Sequence, residues 1–550
     1  MNFAQGSLSR RTLLGGAAVL AASGTAYALH SGARMQRHAT TDAKTLNRGN
    51  GAEPDTLDPH LAVTNWENNI IGDMFIGLMT EDAAARPIPG AALGYSISDD
   101  GLTATFILRD HVWSDAVPVT ADDFVYSFRR MLAPETAAQY ASILYPIENA
   151  EAVNSGRLPV EALGVRAIDA RTLAITFQYQ VPYLAQLMTH FATFAVPRHV
   201  VERHGDQWTR PENIVSNGPY TLAEWVANDH IKLKKNPRFH DADNVAIETI
   251  YYHPTPDAAA ALKRFRGGEF DLLSDSIAPG QTLWLKREIP DELHLTPFMA
   301  TKYVTFNVQQ PPFNDRRVRE ALSMAIDRET LVAKITRGGE TAAYSLVPPH
   351  MPGYPGEAQA RFKSRRMAAR TADAIDLLKE AGYGPENPLR FPYNIPMATE
   401  SKVVAVTLQE MWREIGAEVT LMLSESQVHY DLLRRQDFQA AWSAWSADYL
   451  DAKDFLFILE STSKDLNFGD YKSSLYDGLL AHSDLERDPT LRGQLLQFAE
   501  QRMLDDVAIA PVYYGVTRDL ISTEVKGWID NTVNINRSRY LSLQRAVATT

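Results

Sequence analysis

KVVAVTLQEMWREIGAEVTLMLSESQVHYDLLRRQDFQAAW, residues 402–442, decides the fold class. From Lys402 to Ile415, the residues Val404, Leu408, Met411, Trp412 and Ile415 recur at helical spacing and share one face. Gly416 then ends the helix. Val419, Leu421 and Leu423 alternate, which is the period of a half-buried strand. Gln427 to Arg434 reads as a second helix and Phe438 to Trp442 as a second strand. Helix, glycine, strand, helix, strand in one run is the logic of an α/β protein.

That second strand runs into Trp442-Ser443-Ala444-Trp445-Ser446-Ala447-Asp448-Tyr449. The small residues between the rings leave the backbone open to close approach. A single acid between aromatic walls suits a positive group such as an α-ammonium. Low local dielectric strengthens that attraction, provided hydrogen bonds offset the desolvation. A core strand ending in a solvated aspartate fits the same letters.

Outward from this stretch, the α/β unit recurs. Ala258 to Phe265 reads as a helix closed by Gly267-Gly268 and followed by the apolar strand Phe270 to Leu273. Tyr303 to Val308 alternates as a strand, Arg316 to Ile326 is a helix, and Ile509 to Tyr514 is a late strand. Toward the N-terminus, Asn68 to Leu78 and Ala121 to Met131 read as helices, the latter with Thr120 as N-cap and Asp123 at N3. Tyr183 to Phe191 reads as a helix. Tyr220 to Trp225 and His230 to Lys234 form a hairpin around Ala227-Asn228-Asp229. Asn217-Gly218-Pro219 makes a sharp corner in which Gly218 can take a positive φ.

A chain of 550 residues is too long for one core and implies two to four domains. The net charge of −13 argues against a nucleic-acid binder. The chain has no cysteine, which excludes disulfides, thiolate metal sites and a cysteine nucleophile. Ser9-Arg10-Arg11-Thr12-Leu13-Leu14, a short apolar run and Ala26-Tyr27-Ala28 compose an export signal over residues 1–28, with paired arginines of the twin-arginine type. No later stretch is long and apolar enough to span a bilayer. The expectation is a soluble periplasmic protein, not membrane-embedded. No phosphate loop, nucleophile elbow or H-E-x-x-H is present, and the fourteen histidines are scattered without metal-ligand spacing. The reading is a binding protein with no catalytic residues, no metal and no cofactor.

Phe106 to Ser127, which contains Trp113-Ser114-Asp115-Ala116-Val117-Pro118, resembles the signature of the family 5 substrate-binding proteins of ABC importers. Within that family the chain is most similar to periplasmic oligopeptide binders. Glu53 to His60, Ile214 to Leu222, Pro311 to Arg319, Trp445 to Tyr449 and Ala510 to Tyr514 carry the same resemblance in order. Ala116 stands where a glycine is usual, and a different turn conformation is expected there.

The resemblance implies a bilobal periplasmic-binding-protein-like fold, two lobes joined by a hinge plus an extra domain. Domain I would comprise residues 45–75, 200–299 and 517–550, domain II residues 76–199, and domain III residues 300–516. It implies a monomer that closes on a peptide ligand and docks on a membrane permease. The peptide would add a strand between Ala62-Val63-Thr64 and Ala444-Trp445-Ser446. Asp448 would pair with the peptide amine, Tyr140 would line that end, and Trp445 would wall a side-chain pocket beside Tyr449. For the peptide carboxylate the match weakens. Trp442 stands where many relatives have an arginine, Thr399 to Lys402 offers no histidine, and Arg434 matches another arginine only across a one-residue gap. Murein peptides, dipeptides, opine-like solutes and nickel chelates stay open as ligands. An exported hydrolase and a chaperone-like binder of unfolded chains are the readings from other classes.

Overall fold

The computed structural model describes residues 42–274, 277–464 and 466–545. The export signal read at residues 1–28 lies outside them.

Helix α1 (Asn65–Met74) begins where Thr64 and Glu67 cap each other reciprocally. Glu67 is 1% exposed and gathers an unusual set of donors. Its Oε2 accepts the amides of Val63 and Thr64, both at 2.9 Å, and the Thr64 hydroxyl at 2.7 Å. Its Oε1 accepts the amides of Asp55 and Thr56 at 3.1 and 3.2 Å. One carboxylate therefore shapes the whole segment leading into the helix. The helix stops at Phe75, short of the expected Leu78, because Phe75 is extended. Asn217 then supplies both an acceptor and a donor to the backbone of Ile76.

Among the described residues, one sheet carries eleven strands. Its spine is three strands, β1 (Leu293–Phe306), β3 (Ala440–Ser446) and β4 (Ile509–Ile521). β2 (Leu389–Pro396) lies on the far side of β3 and pairs in parallel with the strand Ala417–Ser424. β1 is antiparallel to β3 on one edge and to β4 on the other. The pairing of β1 with β4 slips twice, between Pro297 and Thr301 and between Lys302 and Tyr303. Such bulges bend a strand and raise its twist. Beyond β4 the sheet continues through Leu272–Leu273, Thr45–Gly49, Thr249–His253 and the hairpin Tyr220–Val226/His230–Lys235. A separate four-stranded sheet holds Ala92–Ile97, Thr103–Leu108, Thr172–Thr176 and Val165–Asp169. The largest apolar core lies on the N-terminal elements, and two others flank the spine. The mixed α/β class is as expected.

Three local expectations are corrected. Tyr183 to Phe191 is not one helix. Only Leu184–Leu187 is α-helical, and Phe191–Thr193 is a separate 3-10 turn. Ala116 keeps the turn a glycine would make, with φ of 76°, instead of changing it. Its amide bonds the Trp113 carbonyl at 2.8 Å and Trp113 in turn bonds the Val117 carbonyl at 2.8 Å, so the turn holds the alanine in a left-handed conformation costing about 1–2 kcal/mol. Gly218 needs no positive φ. Its requirement is close approach, because a Cβ there would sit 2.5 Å from the Met74 carbonyl oxygen.

Replacing Glu67 by alanine removes the acceptor of four amides in a part-buried loop. Hydrogen exchange should then show loss of protection at Val63 and Thr64, together with a lower melting temperature. The expected cost is about 3 kcal/mol or more. Unchanged protection at both amides would show that the loop holds itself.

Candidate ligand-binding site

β3 reaches further than the sequence indicates, and this brings Ala444, Trp445 and Ser446 onto the strand itself. One edge of β3 is fully used, since Ala440 to Ser446 all pair with β1. The other edge is paired only at Ala440 and Ala441, where β2 lies alongside. At Trp442 the carbonyl is capped by the His429 imidazole at 2.8 Å. Burial pushes the His429 pKa down, so the ring is neutral. Past that cap, the edge from Ser443 to Ser446 has no strand beside it. An open edge next to a cavity is a template for a peptide-like strand.

The cavity has a volume of about 270 Å³, and its walls include Val63, Thr64, Tyr140, Ser446, Asp448 and Tyr449. A second cavity of about 470 Å³ adjoins it across Asn65 and Asn68 and is lined with asparagines and the indole of Trp66. The segment Val63-Thr64 offers less than expected. Both amides are committed to Glu67, and the Thr64 carbonyl accepts from Asn68 at 3.0 Å. Of this pair's backbone groups, the Val63 carbonyl is left to meet a ligand donor.

Tyr140 packs against His190 and Phe191, with ring centroids 5.1 and 5.6 Å away. Burial holds His190, another wall residue, at a pKa of about 3, so it brings no charge. Tyr449 stacks on Tyr183 at 4.3 Å with rings 10° apart. Trp445 is half-buried. Its ring meets Phe457 edge-on at 5.6 Å, and its indole N–H donates to Asp454 Oδ2 at 3.1 Å. Two predicted site residues lie elsewhere. Trp442 is 4% exposed and packs its ring 5.8 Å from that of Tyr513 inside an apolar core. Arg434 sits on the surface at the end of the helix Ser426–Arg434, paired with Asp431.

The acid at the centre is not solitary. Asp454, six residues on, is fully buried behind it. The Asp448 amide donates to Asp454 Oδ2 at 3.2 Å, and Asp454 Oδ1 has no hydrogen-bond partner. Among the described residues, neither carboxylate has a cationic partner. By contrast, Asp451 is held by Arg492 at 2.7 Å and Lys453 by Glu460 and Asp484 at 2.7 and 3.0 Å. Burial pushes Asp448 up to about 7. Asp454 is raised well above the ordinary value by burial first and by the Asp448 charge second. The sequence signal for Asp454 is slight, because an acid in Lys453-Asp454-Phe455 looks like an ordinary helix start.

The site thus places two neighbouring acids where ionising both is costly. The sign of its pH dependence follows. Between the ordinary value of 3.8 and about 7, folded Asp448 keeps a proton that the unfolded chain has lost. Stability therefore falls as pH rises through that window. The melting temperature of the ligand-free protein should decline from pH 5 to pH 8, and the decline should flatten in Asp448→Asn. An equal slope in both proteins would place the titration elsewhere.

Residues 86–467 match the family described as bacterial extracellular solute-binding proteins, family 5 middle. The chain is 36% identical over 503 residues to the periplasmic oligopeptide-binding protein OppA of Escherichia coli (strain K12), covering 90% of this chain and 92% of that protein. It is 35% identical over 484 residues to the probable deoxycholate-binding periplasmic protein YgiS of the same organism, covering 87% and 89%. The structure of the Escherichia coli murein tripeptide binding protein MppA superposes with a TM-score of 0.81 at 32% identity, covering 92% of this chain and 99% of that one. It confirms the bilobal binding-protein fold with its extra domain. With its acid-centred cavity, open strand edge and family match, this chain belongs to the bacterial extracellular solute-binding proteins of family 5.

Proposed function

We propose that this protein captures short peptides, or closely related amine-bearing solutes, and delivers them to the permease of an ABC importer. The observation that carries this reading is the unpaired Asp448 beside the open edge of β3. The edge supplies main-chain donors and acceptors that read no side chain, and Asp448 fixes the end of the ligand. Relatives named for oligopeptides and for a murein tripeptide support it. The deoxycholate-binding relative is as similar in sequence, yet a steroid carboxylate would face Asp448 and Asp454, two acids without a counter-charge.

In this proposal the protein works as a monomer in the periplasm. Its three parts are residues 45–75, 200–299 and 517–550, residues 76–199, and residues 300–516, with β1 and β4 crossing between lobes as the hinge. Trp445 walls a side-chain pocket, Tyr449 and Tyr140 enclose the amine end, and Ala444 and Ser446 offer backbone. Export uses Arg10 and Arg11. If those arginines are a receptor-read address, changing both to lysine leaves folded protein in the cytoplasmic fraction. Undiminished periplasmic protein would show that the general secretion route carries it.

The binding test is a cycle of four calorimetric titrations, with wild type and Asp448→Asn each offered a peptide and its N-acetylated form. Removing either charge should weaken binding by about thirty- to several-thousand-fold, the range for truncating one partner of a buried pair. Removing both should cost far less than the sum of the two losses. Fully additive losses, or an acetylated peptide bound as well as the free amine, would reduce Asp448 to a structural acid.

A further inference from the structure

The second cavity, of about 470 Å³, has the volume of a small-ligand site, and capture of an amine at Asp448 makes no use of it. Its walls are close to neutral. Among the described residues that line it, Arg48 alone is charged, and its guanidinium is already taken by Ser538 Oγ at 2.7 Å, the Asn536 carbonyl at 3.1 Å and Asp73 at 3.9 Å. An ionic ligand group would find no free counter-charge on these walls. The polar groups are asparagine amides instead. Asn65, Asn68 and Asn69 share one face of α1, at spacings of three and four residues. Asparagine is a weak helix former, so local propensity does not explain three of them on that face.

These amides are not committed to the fold. Among the described residues, the Asn65 side chain, Asn68 Nδ2, Asn69 Oδ1 and Asn534 Nδ2 make no hydrogen bond within the protein. Their other ends are anchored, because Asn69 Nδ2 donates to Asn50 Oδ1 at 3.0 Å and Asn68 Oδ1 accepts from Arg537 at 3.2 Å. The free set mixes donors with acceptors. A carboxylate offers only acceptors and an ammonium only donors, whereas every hydroxyl offers both. Trp66 completes the wall. It is half-buried, and its ring lies against Gly51, where a Cβ would meet Cε3 at 3.5 Å. An aromatic surface beside fixed amides suits a ligand that is apolar on one face and hydroxyl-bearing around its edge.

We infer that this cavity binds a pyranose sugar, with the ring face on Trp66 and the hydroxyls and any acetamido group on Asn68, Asn69 and Asn534. An acetamido group presents one N–H and one carbonyl, the complement of an asparagine amide. The neighbouring cavity shares the walls Asn65, Asn68, Val533 and Ile535. A sugar here can therefore be carried by a peptide held at Asp448 or can arrive free. The sugar site goes beyond the peptide-capture reading and stands without it.

The test titrates wild type, Trp66→Leu, Trp66→Phe and Asn534→Gly with three sets of probes. These are alanine tetrapeptides with a single serine at each position in turn, the same peptides with N-acetylglucosamine on the serine, and free N-acetylglucosamine. Calorimetry reads the peptides, and tryptophan fluorescence reads the free sugar. Phenylalanine keeps a ring at 66, and glycine accepts the left-handed backbone at Asn534, where φ is 53°. In wild type, at least one glycosylated peptide should bind about tenfold or more tighter than its plain parent, the scale of one or two net hydrogen bonds. Trp66→Leu and Asn534→Gly should lose most of that gain with plain-peptide binding unchanged, and Trp66→Phe should keep part of it. Saturable quenching by the free sugar in wild type, absent in Trp66→Leu, would identify free sugar as a ligand. A gain confined to the glycosylated peptides would identify the conjugate. No gain from any glycosylated peptide and no free-sugar binding in wild type, or a gain undiminished in Trp66→Leu, would overturn the sugar site and leave the peptide reading standing. Free sugar bound by wild type while no peptide binds would overturn the peptide reading and leave the sugar site.

Discussion

The rest of the structure depends on a mismatch of strand lengths. β3 pairs with β1 along its whole length, yet β2 accompanies it for only two residues. Main-chain amides and carbonyls need partners, and an unpaired strand edge in the middle of a sheet is costly unless water or another chain completes it. Here the edge is not blunted by proline or a charged side chain. His429 closes it at Trp442, and beyond that point the edge is left to whatever enters the cleft. The aromatic walls, the paired acids and the loop organised by Glu67 are all arranged around this one gap.

Electrostatics divide the cleft in the same direction. Several buried charges are paired, such as Arg48 with Asp73, Arg537 with Glu81 and Arg492 with Asp451, and buried Glu67 and Glu500 are each met by several hydrogen-bond donors. Asp448 and Asp454 instead lie side by side, and among the described residues neither has a cation. A carboxyl with no counter-ion in a poorly solvated place either holds its proton or waits for a cation. The pair is therefore a structural liability, and the proposed ligand amine would relieve it.

Much of this was legible in the letters. The alternation of Val419, Leu421 and Leu423, the face of the helix after Lys402 and the capping pair Thr120 and Asp123 all reflect local rules, and the structure follows them. The aromatic stretch Trp442 to Tyr449 fits a core strand as well as a binding wall, and in the structure Ser446, Asp448 and Tyr449 from it line the cavity. What stayed hidden depends on tertiary placement. Trp442 looks like a wall residue until the core behind it is seen, and Arg434 looks like a ligand group until its helix is seen to face outward. Glu67 was not singled out in the sequence, and no local rule shows that it caps its helix while taking the amides of Asp55 and Thr56. Asp454 carries no motif at all. Its interest lies in its burial beside Asp448 with no cation on either among the described residues, and that can be judged only in three dimensions.

The stacked rings of Tyr183 and Tyr449 have a bearing on the empty protein as well. They belong to distant parts of the chain, and Tyr449 is a wall of the cavity, so any motion that parts the two segments must break the stack. A stacked pair is worth about 0.5–1.5 kcal/mol beyond the area it buries. That favours the joined over the parted arrangement by a factor of roughly two to ten, since 1.4 kcal/mol is about tenfold in an equilibrium constant. If the proposed closure joins these rings, the stack sets how much of the unloaded protein a permease would meet in its closed form.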